Sequence, residues 1–114
     1  MYKLVLVARK DLKMSAGKLA AQCGHAVLAA VNKTKRKSVV ENWQFSGEPI
    51  IVLKCSDLKQ LMKIKHLAED ISIITSVVRD AGLTQVEPGS ITVLALGINK
   101  ITLLDKICCR LKLY

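Results

Sequence analysis

"YKLVLVARKDLKMSAGKLAAQCGHAVLAA", Tyr2 to Ala30, sets an aliphatic run directly against a segment with helical spacing. Tyr2–Ala8 has strand length and carries Val and Leu without strict alternation, as a strand buried on both faces does. "RKDLKM" is a polar connection, and Ser15 is placed to cap a helix running to about Asn32. A strand feeding a helix is the first half of a crossover, so these residues point to an α/β fold.

The alternation continues along the chain. "VVENWQF" reads as a short helix ending near Gly47, and residues 49–55 as a second strand. Asp57 is placed to cap a helix with Leu58, Leu61, Met62, Ile64 and Leu67 at near-helical spacing. Residues 71–80 read as a third strand and 90–97, after the Pro88-Gly89 turn, as a fourth. From Lys100, the spacing of Ile101, Leu104, Ile107 and Cys108 predicts a short helix. Four strands among helices predict a three-layer α/β/α domain whose sheet is at least partly parallel and covered on both faces. No repeat, low-complexity tract or linker divides the 114 residues, so one domain is expected over 1–114.

Charge is unevenly spread. Of 18 basic and 9 acidic residues, nine basic ones (Lys3, Arg9, Lys10, Lys13, Lys18, Lys33, Lys35, Arg36, Lys37) fall by position 37, against Asp11 alone. Beyond that point the signs nearly cancel. A localised basic field attracts polyanions, nucleic acid foremost. No apolar run approaches the roughly 18 residues that span a bilayer, and no basic helix with large apolar residues suits a membrane surface. The chain opens on a strand rather than a signal peptide, so Cys23, Cys55, Cys108 and Cys109 are expected as free thiols in the reducing cytoplasm.

Within the first helix, Lys18, Gln22 and His25 fall at i, i+4 and i+7, within about 60° of arc. Leu19, Cys23, Ala26, Val27 and Ala30 form a stripe centred about 110° away, which is the core side. The triplet thus lines an edge of the helix, either as ordinary solvated and hydrogen-bonded side chains or as a lysine, an amide and an imidazole converging on a polar ligand. Ala16, Gly17, Ala20, Ala21 and Gly24 keep the surface around them low. A phosphate loop is excluded because Leu12 and Leu19 replace its first glycine and its hydroxyl residue. Cys23 and His25 point about 160° apart on a helix, which argues against a metal site and against a Cys–His nucleophile. No metal or cofactor is expected. A second constellation, "RDAGLTQVEPGSIT" (79–92), offers Asp80 with Thr84, Ser90 and Thr92 among turns at a strand end, where open α/β sheets bind ligands.

Taken in order, "VLVARKDLKMSAGKLAAQCGHAVLAA" (5–30), Trp43 followed by "GEPIIVLK" (47–54), "RDAGLTQVEPGSITVLALG" (79–97) and "LDKICCRLKLY" (104–114) resemble the type 2 peptidyl-tRNA hydrolase family over essentially the whole chain. The resemblance implies a four-stranded mixed sheet between helices, often in a dimer. It also implies hydrolysis of the ester joining a peptide to the 3′ ribose of tRNA. The family's site residues carry over to Lys18, Gln22, His25, Asp80, Thr84 and Thr92. Departures are Ser90 where threonine is common, "GIN" (97–99) where Gly-Pro is frequent, and Cys108-Cys109 where Thr-Gly is usual; all lie outside those six positions.

On that reading Asp80 and His25 activate water, Lys18 holds a phosphate or the oxyanion, and Thr84, Thr92 and Gln22 fix water and substrate. Lys13, Lys33, Lys35, Arg36 and Lys37 are expected to grip the tRNA backbone. The competing class is a non-catalytic RNA-binding or adaptor module using the same basic surface.

Overall fold

A computed structural model describes residues 1–82 and 86–114. Its centre is strand β1 (Tyr2–Arg9), whose residues Leu4 to Ala8 are all 0–1% exposed. Helices α1 (Ala16–Lys33) and α2 (Lys37–Phe45) follow, then β2 (Ile50–Cys55) and α3 (Leu58–Asp70). Strands β3 (Thr75–Arg79) and β4 (Ile91–Lys100), helix α4 (Ile101–Cys108) and strand β5 (Lys112–Leu113) complete the chain.

The strands form one mixed sheet in the order β3-β4-β1-β2-β5. Among the ladder pairs only β1–β2 is parallel; β4 runs antiparallel to both β1 and β3, so β1, β2 and β3 point the same way, and β5 is antiparallel to β2. Side chains alternate across the strand, so one sheet serves two cores. Leu4, Leu6 and Ala8 pack with Ala26 and Ala30 of α1 and Val39 and Trp43 of α2. Val5 and Val7 face the other way, onto Leu61, Ile64 and Ala68 of α3 and Leu104 and Cys108 of α4. This double coverage is why the Tyr2–Ala8 run is apolar at every inner position rather than at every second one.

Caps fix the helix starts. Ser15 accepts from the Lys18 N–H at 3.3 Å, and Asp57 accepts from the Gln60 N–H at 2.9 Å. Gln60 returns its side-chain oxygen to the Ser56 N–H at 2.6 Å, so both sides of the turn into α3 are satisfied.

Two expectations change. The sheet has five strands, not four, because the "LKLY" end adds a two-residue edge strand too short to show a period. The third strand begins at Thr75 rather than at 71. There the end of α3 is closed by Ile71 and Ile73 N–H bonds back to Ala68, Ser72 takes φ 63°, and Ile73 drops into the core at 2% exposure. Ile71 and Ile73 thus serve the helix end, while Ile74, whose carbonyl accepts the Gly97 N–H at 2.9 Å, leads into the ladder. Among the described residues no helix is long and apolar enough to cross a membrane.

Candidate active site at the end of the sheet

The first turn of α1, the end of β3 and the start of β4 meet at one end of the sheet. Asp80 leaves β3 there; its N–H donates to the Ser90 carbonyl at 2.8 Å and its own carbonyl accepts from Gly89 at 2.9 Å. Asp80 Oδ2 accepts the Gly82 N–H at 2.9 Å. Gly82 has φ +93°, and a Cβ there would sit 3.0 Å from Pro88 Cβ, so both the turn and the close approach of Pro88 require glycine.

Lys18, reaching across from α1, donates to Asp80 Oδ1. The pair is withdrawn from water, with side-chain exposures of 7% for Lys18 and 0% for Asp80. One turn further along α1, Gln22 is buried and its Oε1 accepts the Thr92 hydroxyl at 2.6 Å, with the Val78 carbonyl a longer alternative acceptor at 3.3 Å. Thr92 is wholly buried, so this bond ties α1 to β4 in an environment without water.

His25 stands apart. It is exposed, about 10 Å further along the helix axis from Lys18 by the rise of seven residues, and it makes no hydrogen bond or ion pair with another described residue. The order of burial, Gln22 then Lys18 then His25, follows each residue's angular distance from the core stripe, which is smallest for Gln22. The three polar residues share an arc of the helix but not an environment. Asp80 meets Lys18, not His25. Thr84 lies outside the described residues.

The expected basic contacts divide between the two ends of the molecule. Lys13 is exposed in the connection from β1 to α1, near the Lys18–Asp80 end, with φ 51°. Lys33 ends α1, about 22 Å from Lys18 by helical rise, and Lys35, Arg36 and Lys37 follow it into the start of α2. Lys33 donates to the Thr75 carbonyl at 2.5 Å. With Lys35, Arg36 and Lys100 it rims a groove of about 440 Å³ floored by Tyr2, Val39, Ile74 and Ile98.

Arg9, which spacing alone did not single out, closes the site end of β1. Its guanidinium donates to the Ile91 carbonyl at 3.1 Å and to Asp11 at 2.7 Å, and it holds the Asp11 carboxyl below its ordinary range. Burial pushes the Cys23 thiol up, away from the thiolate a nucleophile needs. Among the described residues no three His, Cys, Asp or Glu side chains converge as a metal site.

What the arrangement offers chemically is a buried ammonium–carboxylate pair. Such a pair carries a desolvation cost that makes it a weak device for stability, and it sits where an open α/β sheet presents its strand ends.

Comparison with known proteins gives this site a context. The family model described as "Peptidyl-tRNA hydrolase PTH2" matches residues 2–114. "Peptidyl-tRNA hydrolase 2, mitochondrial" of Mus musculus is 44% identical over 99% of this chain, and the chain spans 64% of that relative's length. The proteins named "Peptidyl-tRNA hydrolase" of Methanopyrus kandleri and Thermoplasma acidophilum are 44% and 43% identical, over 94% and 97% of this chain and 93% and 97% of their own lengths. With the family model spanning all but the first residue and both groups of relatives above 40% identity, the chain belongs to the peptidyl-tRNA hydrolase PTH2 family.

Proposed function

We propose that this protein hydrolyses the ester between a peptide and the 3′ ribose of tRNA. The observation that carries the reading is the Lys18–Asp80 pair, buried at the strand ends in a chain of this family. Lys18 meets the reacting carbonyl or a neighbouring phosphate and stabilises the oxyanion as it forms. Asp80 holds Lys18 in place and, once the ammonium turns to the substrate, takes a proton from the attacking water; as the carbonyl–oxygen bond to the ribose breaks, that proton passes to the departing 3′ oxygen. Gln22 and Thr92 set the distance between α1 and the sheet. Thr84 belongs to the same site on the family resemblance. His25, exposed two turns along α1, contacts the arriving 3′ end.

The basic residues Lys13, Lys33, Lys35, Arg36 and Lys37 grip the tRNA backbone; their spread along α1 suits a long polyanion better than a small substrate. The four free thiols suit a reducing compartment such as the cytoplasm. Leu28 and Phe45, 63% and 96% exposed, are the apolar surface on α1 and α2 that a homodimer would cover.

Incubation with an N-blocked aminoacyl-tRNA tests the proposal. Free tRNA is expected with the wild type, and Asp80→Asn is expected to lower kcat by roughly 10²–10⁴ with tRNA affinity kept. His25→Ala is expected to raise KM more than it lowers kcat. Intact ester with the wild type would leave the non-catalytic RNA-binding reading in its place.

A further inference from the structure

At the same end of the sheet as Asp80, but towards its opposite edge, a cleft of about 320 Å³ is rimmed by four cations. Lys10 follows β1, Lys54 is on β2, Arg110 follows α4 and Lys112 begins β5. Ser56 and Gln60 complete its polar lining, and none of its lining residues is acidic. Among the described residues, the side chains of Lys54, Arg110 and Lys112 have no hydrogen-bonding or ion-pair partner. Lys10 Nζ lies 4.2 Å from the centre of the Tyr114 ring.

Lys54 and Lys112 are directly opposite one another in the β2–β5 ladder. Like charges in that position repel and weaken the pairing. A phosphate between them would turn the repulsion into a shared attraction. Tyr114, with Lys10 over one face of its ring, packs against the core on the α1 side and does not line the cleft, and no other aromatic residue lines it; the cleft is therefore built to read backbone charge rather than sequence.

We infer that this cleft takes phosphodiester groups of the single-stranded 3′ end of the tRNA, an inference that rests on the function proposed above. From the end of β3 to the end of β2 is three strand spacings, about 14 Å, which a few nucleotides of single strand cover. Arg9 and Lys10, at the end of β1, lie along that path.

The test is the double variant Arg110→Gln/Lys112→Gln, with Lys54→Gln as a second, independent variant. Fluorescence anisotropy with a short single-stranded RNA of 3′-terminal sequence is measured across a salt series, beside steady-state hydrolysis of an N-blocked aminoacyl-tRNA and thermal melting. For the double variant, affinity for the oligonucleotide falls roughly tenfold and the slope of log K against log salt becomes shallower by about 1.4, or about 0.7 for Lys54→Gln. KM rises with kcat unchanged, and the melting midpoint of each variant that removes a lysine from the opposed pair holds or rises. Unchanged affinity and slope would overturn the inference, as would a loss of affinity that appears only with a lowered melting midpoint. If the wild type hydrolyses the ester while the variants bind RNA normally, the cleft assignment fails and the function stands. If the wild type leaves the ester intact while the variants lose the oligonucleotide, the function fails and the cleft stands as an RNA site.

Discussion

Lys18→Met would leave the Asp80 carboxylate buried without its ammonium, and removing one partner of a buried pair costs about 3–5 kcal/mol. Replacing both, as Lys18→Met/Asp80→Leu, removes the uncompensated charge. Urea unfolding is therefore expected to show the double variant more stable than Lys18→Met alone, while hydrolysis is lost in both. A double variant no better than the single one would mean that the pair is not a mutually dependent unit. The Gln22–Thr92 bond obeys the same logic on a smaller scale. Thr92→Val keeps the shape but orphans the Gln22 side-chain oxygen in a dry site, at about 1–3 kcal/mol. Adding Gln22→Leu should return part of that loss, read from the same unfolding curves. These residues were visible in the sequence as polar interruptions of an alanine-rich helix, but their partners were not. An angular reading put Lys18, Gln22 and His25 on one arc with Gln22 nearest the core stripe; the packing of α1 against β3 and β4 decided that Gln22 is fully buried against Thr92 while His25 stays exposed.

Helix starts and turns were the most legible elements, because their chemistry is local. Ser15 and Asp57 each accept the N–H three residues on, as their positions before apolar periodic segments require. Asp57→Ala is expected to lower stability by about 1 kcal/mol, measured by thermal melting, with hydrolysis at moderate temperature unaffected. The turn after β3 is equally local but sits in the site. Gly82→Ala forces a side chain into φ +93° and against Pro88, and displaces the N–H that holds Asp80 Oδ2. Its expected effect is a fall in kcat larger than its roughly 1–3 kcal/mol of strain would produce through unfolding. Normal kcat in a folded variant would detach that turn from Asp80's role. The strand from 71 was overextended for a physical reason: Ile71 and Ile73 are as apolar as ladder residues, and nothing local distinguishes sealing a helix end from joining a sheet.

At the scale of the whole molecule, the two cores share β1, and removing a large side chain from either is felt by the sheet. Trp43 is 2% exposed and its indole N–H donates to the Pro49 carbonyl at 3.0 Å. Trp43→Ala is expected to cost about 3–5 kcal/mol by chemical unfolding. Burial also pushes the Cys55 and Cys108 thiols up to about 11 from an ordinary 9.0. The folded state thus keeps protons that the unfolded chain releases above pH 9, so their contribution to stability is full below about pH 9 and is lost as pH rises towards 11. Melting midpoints taken between pH 8 and 11 should fall over that upper range, and less so in a Cys55→Ala/Cys108→Ala variant. At pH 8, alkylation by iodoacetamide should reach exposed Cys109 first and leave Cys55 and Cys108 to follow unfolding.

The sequence by itself determined the α/β alternation, the two-sided burial of the Tyr2–Ala8 strand, the capped helix starts and, through four spaced motifs, the family. All of these depend on neighbours in the chain or on patterns repeated along it. Tertiary structure alone decided that Asp80, 62 positions from Lys18, is its partner. It also brought Lys10, Lys54, Arg110 and Lys112 together from four separate elements. Along the chain three of those four cations fall in the portion where charges nearly cancel. Charge acts through space rather than along the sequence, so a basic cleft assembled from distant segments has no local signature for composition to reveal.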